Sequence, residues 1–198
     1  MQVKKDAVQK AIIKAATDEF LKYGYAGASM RRMAKAAGTG LGNFYNYFSS
    51  KDEIFAYIVS DQYAKTQAYI ARSLSENMIV DFKNIRDTRL FCQEFKRWLV
   101  RSDPLFNKNM FLLLDCSTGT HFQSAKDELV VGLTQVFTTL FDFPKGSLAV
   151  PPFLFFEQTI NNLLQIVRKY QKDPQLKQIA FNSFYSSCLG YILCAINI

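Results

Sequence analysis

Three closely spaced glycines, Gly38, Gly40 and Gly42, are the residues of this 198-residue chain whose spacing first suggests chemistry. They lie in the stretch AAGTGLGNFYNYFSSKDE, residues 36–53. Glycine-rich loops let backbone amides approach a phosphate, so the stretch is a candidate nucleotide-binding loop. A dinucleotide-binding fingerprint has the spacing G-x-G-x-x-G after a strand, whereas this stretch has G-x-G-x-G and places Asn at position 43. The spacing therefore argues against a nucleotide site.

The segment before the glycines, MRRMAKAA, has the apolar spacing of a helix and not of a strand. The pattern of a Walker loop is absent as well. Two short helices joined by a glycine turn form a helix-turn-helix, whose second helix enters the major groove of DNA. In this interpretation Gly38 ends the first helix, and Gly40 and Gly42 let the backbone approach DNA closely. The alternatives are a small helical nucleotide-binding enzyme that uses the Gly38–Gly42 loop and a helical interaction module without DNA affinity.

The positive charge of the chain is concentrated near its N-terminus. Residues 1–51 contain nine Lys or Arg and three Asp or Glu, which leaves a net charge of +6 out of the total of +7. This asymmetry suggests contact with a polyanion such as DNA, although a solvated basic surface would show the same pattern.

Helical periodicity recurs throughout the sequence and predicts an all-α chain with about nine helices. The first helix is expected near residues 5–23, a second begins after Ser29 as N-cap, and a third covers about 40–46. Ser50 and Glu53 form a predicted capping box for a long fourth helix that reaches about residue 75. Further helices are expected near residues 82–101, 104–117, 122–141, 152–171 and 175–196.

The cysteines and the charged N-terminus indicate the cellular compartment, and the spacing of the cysteines argues against a metal site. The cysteines at 92, 116, 188 and 194 form no CxxC pair, and His121 is the only histidine, so we expect no metal site. No catalytic set and no cofactor motif is recognisable, and an enzyme is not expected. Reduced core cysteines and a charged N-terminus without an apolar signal region predict a cytoplasmic protein.

The uncharged segment 178–198 is the one candidate for a membrane span. Its polar residues recur at steps of three and four, which favours an amphipathic helix packed against protein. We therefore expect no membrane association. The polar stripe consists of Gln178, Asn182, Ser183, Ser186 and Ser187.

Residues 24–55, GYAGASMRRMAKAAGTGLGNFYNYFSSKDEIF, resemble the N-terminal domain of TetR-family transcriptional regulators. The shared features are the glycine–aromatic start, AKAAG, Gly42, the FYNYF run and SKDE before an apolar pair. The resemblance implies a helix-turn-helix DNA-binding domain in residues 1–50. It also implies a ligand-binding and dimerisation domain in residues 51–198, with the fourth helix, about 51–75, as connector. The implied function is that of a homodimeric repressor, released from a palindromic double-stranded operator by a small, largely apolar effector.

The resemblance also assigns roles in the reading of DNA. Phe44 and Phe48 are implied to be core residues, Asn43 is the candidate for a base edge, and Lys51 is expected to reach phosphate. Leu41 either touches a thymine methyl or packs inward, and the family often has a polar residue there. The expected DNA-binding set is Ser29, Arg31, Thr39, Gly40, Leu41, Gly42, Asn43, Tyr45, Tyr47 and Lys51.

Two further sets of residues are expected in the C-terminal part. The aromatic content there suits a mainly apolar ligand, and equally suits a plain helical core. The candidate pocket residues are Phe91, Phe95, Trp98, Phe111, His121, Phe122 and Asn161. The final two helices are expected to form the dimer interface through Leu154, Ile160, Leu163, Phe184, Cys188, Leu189 and Ile192.

Overall fold

The computed structural model describes residues 2–74, 87–102, 107–140, 150–170 and 174–196, and every regular element in these ranges is an α-helix. The N-terminal helices are α1 (Gln2–Gly27), α2 (Met30–Ala36), α3 (Leu41–Tyr45) and α4 (Lys51–Ser73). They are followed by α5 (Thr88–Ser102), α6 (Lys108–Asp115), α7 (Ala125–Leu140), α8 (Pro152–Tyr170) and α9 (Pro174–Ile196). The all-α prediction with about nine helices is confirmed for the described part of the chain.

Proline and glycine mark several of the helix ends. Pro152 and Pro174 occupy the first positions of α8 and α9, where the missing N–H of proline costs no helical hydrogen bond. The predicted start at Pro104 lies outside the described residues. Within the described part of the chain, no helix combines the length and apolarity that crossing a membrane requires.

The described residues divide into two compact units. The first comprises the chain up to Lys65 together with Asn107–Lys126, and the second comprises Thr66–Phe106 and Asp127–Ile198. The division falls inside α4 and not at residue 50. The predicted domain boundary at residue 50 stays a prediction about function, since compactness alone does not define a DNA-binding domain.

An aromatic cluster forms the centre of the first unit. Phe20 of α1 and Phe55 of α4 meet edge to face with ring centroids 5.0 Å apart, and Phe122 lies 6.3 Å from Phe55. Phe122 also contacts Tyr63, with ring centroids 5.5 Å apart. Edge-to-face aromatic pairs add specific geometry to the apolar burial, so the cluster fixes α1 and α4 with respect to the segment that follows α6.

The second unit is built around the packing of α8 against α9. Phe155 and Tyr191 stack with ring centroids 4.0 Å apart, and the Tyr191 hydroxyl donates to the carbonyl oxygen of Val150 at 2.5 Å. Phe137 of α7 meets Phe156 of α8 edge to face at 5.3 Å. These contacts tie α7, α8 and α9 into one core.

Candidate nucleic-acid interface

The helical backbone of α1 is broken at Gly24, before the end of the helix at Gly27, and residues 24–29 are called the α1–α2 turn below. Gly24 has φ of 67° and ψ of 172°, a conformation that L side chains rarely adopt. After the break, the backbone N–H of Ser29 donates to Glu19 Oε1 at 2.9 Å. Ser29 occupies the predicted N-cap position of α2, but its own side chain makes no capping hydrogen bond. The carboxylate of Glu19 on α1 thus satisfies the N–H of the N-cap residue itself.

A Schellman motif forms the turn between α2 and α3. Gly38 has φ of 69°, its N–H donates to the Lys35 carbonyl at 3.2 Å, and the Thr39 N–H donates to the Ala34 carbonyl at 3.0 Å. This pair of bonds satisfies carbonyls at the end of α2 and requires a left-handed residue at position 38. The predicted role of Gly38 as the residue that ends the helix is confirmed.

Helix α3 has one buried and one exposed side. Phe44 is fully buried and Phe48, just after the helix, is 3% exposed, as the resemblance implied. On the other side Asn43 is exposed, and its Nδ2 donates to Thr39 Oγ1 at 2.7 Å. This bond orients the Asn43 amide and leaves its oxygen and second proton for an external partner.

Tyrosines border this exposed side. Tyr45 is 49% exposed, whereas Tyr47 and Leu41 are half-buried. The half-buried position of Leu41 is compatible with both predicted roles, so its contact with DNA stays a prediction.

Gly40 and Gly42 differ from Gly38 because nothing in the described protein requires them to be glycine. Gly40 has an ordinary φ of −71°, and Gly42 lies within α3. A Cβ built on either residue meets no heavy atom within 4 Å. The open space above both residues therefore makes room for something outside the protein.

Two serines and Glu53 cap the start of α4. The Glu53 N–H donates to Ser50 Oγ at 3.0 Å, which is half of the predicted capping box. The reciprocal bond does not go to Ser50. The Glu53 carboxylate accepts instead from the N–H and the hydroxyl of Ser49, both at 2.6 Å. These bonds lower the pKa of the Glu53 carboxyl, because they stabilise its charged form.

The Lys51 ammonium is directed into the α1–α2 turn. Its Nζ donates to the Tyr25 carbonyl at 2.8 Å and makes longer contacts of 3.4 Å and 3.5 Å with the carbonyls of Ala28 and Ala26. It also lies 4.3 Å from the centroid of the Tyr25 ring. In this structure the ammonium contacts backbone oxygens of the turn, and the expected contact of Lys51 with phosphate stays a prediction.

Tyr25 connects three parts of the first unit. Its N–H donates to the Cys116 carbonyl at 2.9 Å, and its hydroxyl donates to Asp52 Oδ1 at 2.6 Å. Burial, and then the bond to Asp52, raise the pKa of the Tyr25 phenol to about 12 from an ordinary 10.0. The phenol therefore remains the donor at neutral pH, and its stabilising contribution is lost only as pH rises from 10 towards 12. The sequence analysis did not assign this connecting role to Tyr25, and the signal nearest to it was the glycine–aromatic start at Gly24 and Tyr25.

The basic residues of α2 fall into two groups. Arg32 is engaged within the protein: its Nε donates to Glu19 Oε1 at 2.7 Å, and its guanidinium lies 4.5 Å from the ring centroid of Tyr23. Arg31 and Lys35 are exposed, and neither forms an ion pair with any residue that the structure describes. Arg31 is therefore the basic residue of the predicted set that is available to a phosphate.

The candidate pocket residues are divided between the two units. Phe111 and Phe122 are buried in the first unit, where His121 is exposed, while buried Phe91 and half-buried Asn161 belong to the second. The side chains of Phe95 and Trp98 lie outside the described residues. The predicted effector pocket stays a prediction.

Most of the predicted dimer residues are already covered within one chain. Ile160, Leu163, Phe184 and Cys188 are buried, with exposures of 1%, 8%, 8% and 3%. They are covered because the apolar faces of α8 and α9 pack together within the subunit. Leu154 is 48% exposed and Leu189 is half-buried, whereas the Ile192 side chain lies outside the described residues.

A nucleotide site at the glycine stretch has no structural support. A nucleotide-binding glycine loop follows a β-strand. The element before Gly38 is helix α2, which ends at Ala36. Among the described residues, no cluster of three or more His, Cys, Asp or Glu side chains could hold a metal ion.

Two short helices joined by a tight glycine turn, with polar side chains on the outer side of the second helix, form a helix-turn-helix, a motif that many DNA-binding proteins use. Residues 12–58 match the family model of bacterial regulatory proteins of the tetR family. Over these residues, about a quarter of its length, the chain is similar to that family.

Curated relatives are similar to part of the chain. YdgC, an uncharacterized HTH-type transcriptional regulator of Bacillus subtilis (strain 168), is 33% identical over 73 residues, which cover 37% of this chain and 35% of YdgC. The HTH-type transcriptional repressor DhaR of Mycobacterium sp. (strain GP1) is 24% identical over 80 residues, or 40% of each chain. YhgD, a second uncharacterized HTH-type regulator of B. subtilis, is 40% identical over 47 residues, covering 24% of this chain and 25% of YhgD. The chain thus matches well under half the length of each relative.

The three glycines should respond differently to alanine. Gly38→Ala should lower the free energy of unfolding by about 1 kcal/mol, because alanine is strained in the left-handed region. Gly42→Ala should leave it unchanged or raise it by about 0.5 kcal/mol, because alanine favours helix and meets open space. Urea denaturation measures both. An equal loss in the two variants would show that the fold itself requires a bare backbone at position 42.

Proposed function

We propose that this protein is a ligand-responsive transcriptional regulator that binds double-stranded operator DNA through α2 and α3. The observation that carries the proposal is the two-sided character of α3. Its buried side is anchored by Phe44 and Phe48, while its outer side presents an oriented amide at Asn43 and open space at Gly40 and Gly42. A side chain held in a fixed orientation beside bare backbone is suited to a base edge in the major groove.

The regulator is proposed to act as a repressor. The name of DhaR describes that relative as a repressor, and the similarity to it extends over 80 residues. The proposed partners are a palindromic operator, a second copy of the chain and a small, largely apolar effector.

Arg31 and Asn43 have separable roles in this proposal. Arg31 is exposed and free of ion pairs within the described residues, so it is assigned to phosphate. Asn43 is assigned to a base edge, with Thr39 as its orienting partner. Tyr45, which is exposed, and Tyr47, which is half-buried, are assigned to the DNA backbone at the margins of the site.

Selection of bound sequences from a random duplex pool, followed by titration with salt, tests the DNA-binding role. Arg31→Ala should weaken all duplexes similarly and flatten the salt dependence of log K by about one unit. Asn43→Ala should cost about 1–3 kcal/mol and relax the preference at one or two base pairs. Lys65→Ala is a matched control, because it removes the same charge from α4, where Lys65 is paired with Asp61 at 2.6 Å. Failure of the wild type to bind any duplex at low salt would refute the proposal.

The effector is proposed to bind the second unit, which contains buried Phe91, Phe137 and Phe156. An apolar compound that binds only the folded state should raise the melting temperature. If it regulates, it should also lower the affinity for the selected duplex, because the coupling between two sites is reciprocal. A thermal-shift screen with apolar and aromatic compounds, followed by duplex binding, measures both effects. Stabilising compounds without any effect on DNA binding would contradict the regulatory part.

The homodimer is proposed to form through α8 and α9 of two copies, since a palindrome needs two reading helices related by symmetry. The polar stripe of α9 is exposed and carries no charge, and Phe153 and Leu154 at the start of α8 are 42% and 48% exposed. These surfaces, and not the residues buried between α8 and α9, are left for a partner.

Ser186→Glu should therefore yield monomers that retain their helix content but bind the selected duplex poorly, because two charges would face each other across the symmetry axis. Light scattering and circular dichroism measure the two properties. Gln93→Glu, which adds a charge at an exposed position of α5, is the control and should remain dimeric. A wild type that is monomeric at micromolar concentration and still binds a palindrome tightly would contradict the dimer.

A further inference from the structure

The side chain of Asn43 reaches the proposed base contact with part of its hydrogen-bonding capacity already used. A side-chain amide has two N–H donors and one carbonyl acceptor. Asn43 Nδ2 gives one of its donors to Thr39 Oγ1 at 2.7 Å, and no other hydrogen bond of this side chain is present among the described residues. The exposed amide therefore offers one N–H and one carbonyl oxygen to a partner outside the protein.

The side chains just before Asn43 offer a base no further hydrogen-bonding group. Gly40 and Gly42 have no side chain, and a Cβ built on either meets no heavy atom within 4 Å. Leu41, between them, is apolar and half-buried. Over residues 40–43 the Asn43 amide is consequently the only polar side chain, so its donors and acceptor decide which base edge this part of α3 can pair with.

The four bases present different groups at the edge that faces the major groove. Adenine presents the N7 acceptor and the N6 donor, which together satisfy the remaining N–H and the carbonyl oxygen of Asn43. Guanine presents two acceptors, N7 and O6, and an amide can meet both only by giving its two N–H groups. Cytosine has one donor and thymine one acceptor, so either leaves half of the amide without a partner.

The hydrogen bond to Thr39 therefore selects against guanine as well as for adenine. To give both N–H groups to guanine, Asn43 would have to break this bond, and its carbonyl oxygen would still find no donor on the guanine edge. Specificity is a difference between two affinities, so a cost imposed on the wrong base adds to it as much as a good contact with the right one.

We propose that Thr39 is a specificity-determining residue, which takes one N–H of Asn43 and thereby makes the amide select adenine and reject guanine. The inference rests on the proposed DNA-binding function and names the base that the site reads. Thr39 acts through Asn43, so it is a positioning residue, and the operator has an adenine at the base pair that Asn43 contacts.

The test measures the affinities of four duplexes that differ only at the base pair contacted by Asn43, which is the pair whose preference is lost in Asn43→Ala. The wild type should bind the adenine duplex about tenfold or more tightly than the guanine duplex. Replacing that adenine by 7-deazaadenine, which lacks the N7 acceptor, should weaken binding by the wild type about three- to tenfold. The same replacement should leave binding by Asn43→Ala unchanged.

Two substitutions at position 39 separate the hydrogen bond from the shape of the side chain. Thr39→Val keeps the branched shape and removes the acceptor, so both N–H groups of Asn43 become available to a base. Its preference for adenine over guanine should fall to about threefold or less, and the salt dependence of binding should not change, because no phosphate contact is lost. Thr39→Ser keeps the hydroxyl and should retain the wild-type preference. A variant that only destabilised α3 would instead lose affinity for all four duplexes alike.

Three results would overturn the inference while DNA binding remains. Selection of guanine at the Asn43 position would mean that the Thr39 hydroxyl donates to the Asn43 carbonyl and leaves both N–H groups for the base. An unchanged preference for adenine in Thr39→Val would remove Thr39 from the discrimination. An Asn43→Ala variant with the wild-type preference at every position would remove the base contact itself. A wild type that binds no duplex at low salt would remove the proposed function as well, and this result appears before any variant is made.

Discussion

Two neighbouring side chains at the start of α4, Lys51 and Asp52, tie the α1–α2 turn to the long helix that links the two units. Lys51 donates to backbone carbonyls of the turn, and Asp52 accepts from the hydroxyl of Tyr25. Tyr25 in turn donates its N–H to the Cys116 carbonyl after α6. The turn is thus fixed to two separate segments of the first unit, α4 and the residue after α6.

The same constraint explains how so short a helix can present its side chains in a defined direction. A five-residue helix such as α3 has little stability of its own, because nucleation is costly and few hydrogen bonds form. Its orientation comes from the burial of Phe44 and Phe48 and from the Schellman turn before it. Asn43 then needs only the bond from its amide to Thr39 to be held in place.

The glycines of the AAGTGLG stretch have different physical origins, although they look alike in sequence. Gly38 is required by backbone geometry, since its φ of 69° closes α2. Gly40 and Gly42 have no such requirement, and the space above them is open. A motif of alternating glycines therefore contains one residue that serves the fold and two whose bare backbone faces outward, towards the proposed DNA.

The sequence by itself determined which segments form helices and which face of each helix is apolar, because both depend on local periodicity and on capping residues a few positions away. Gly38 was predictable for that reason, whereas the burial of Phe44 and Phe48 was implied by the resemblance to TetR-family regulators. The partners of Lys51 and Tyr25 were not predictable, because their contacts join residues that lie 26 and 27 positions apart in the chain. The sequence around a lysine in a basic region does not show in which direction its side chain points. Likewise, Ile160 and Cys188 have the apolar character of an interface, but only tertiary packing decided that α8 and α9 cover them within one subunit. Periodicity shows which face of a helix is apolar, whereas the identity of the surface that covers it is a property of the folded chain.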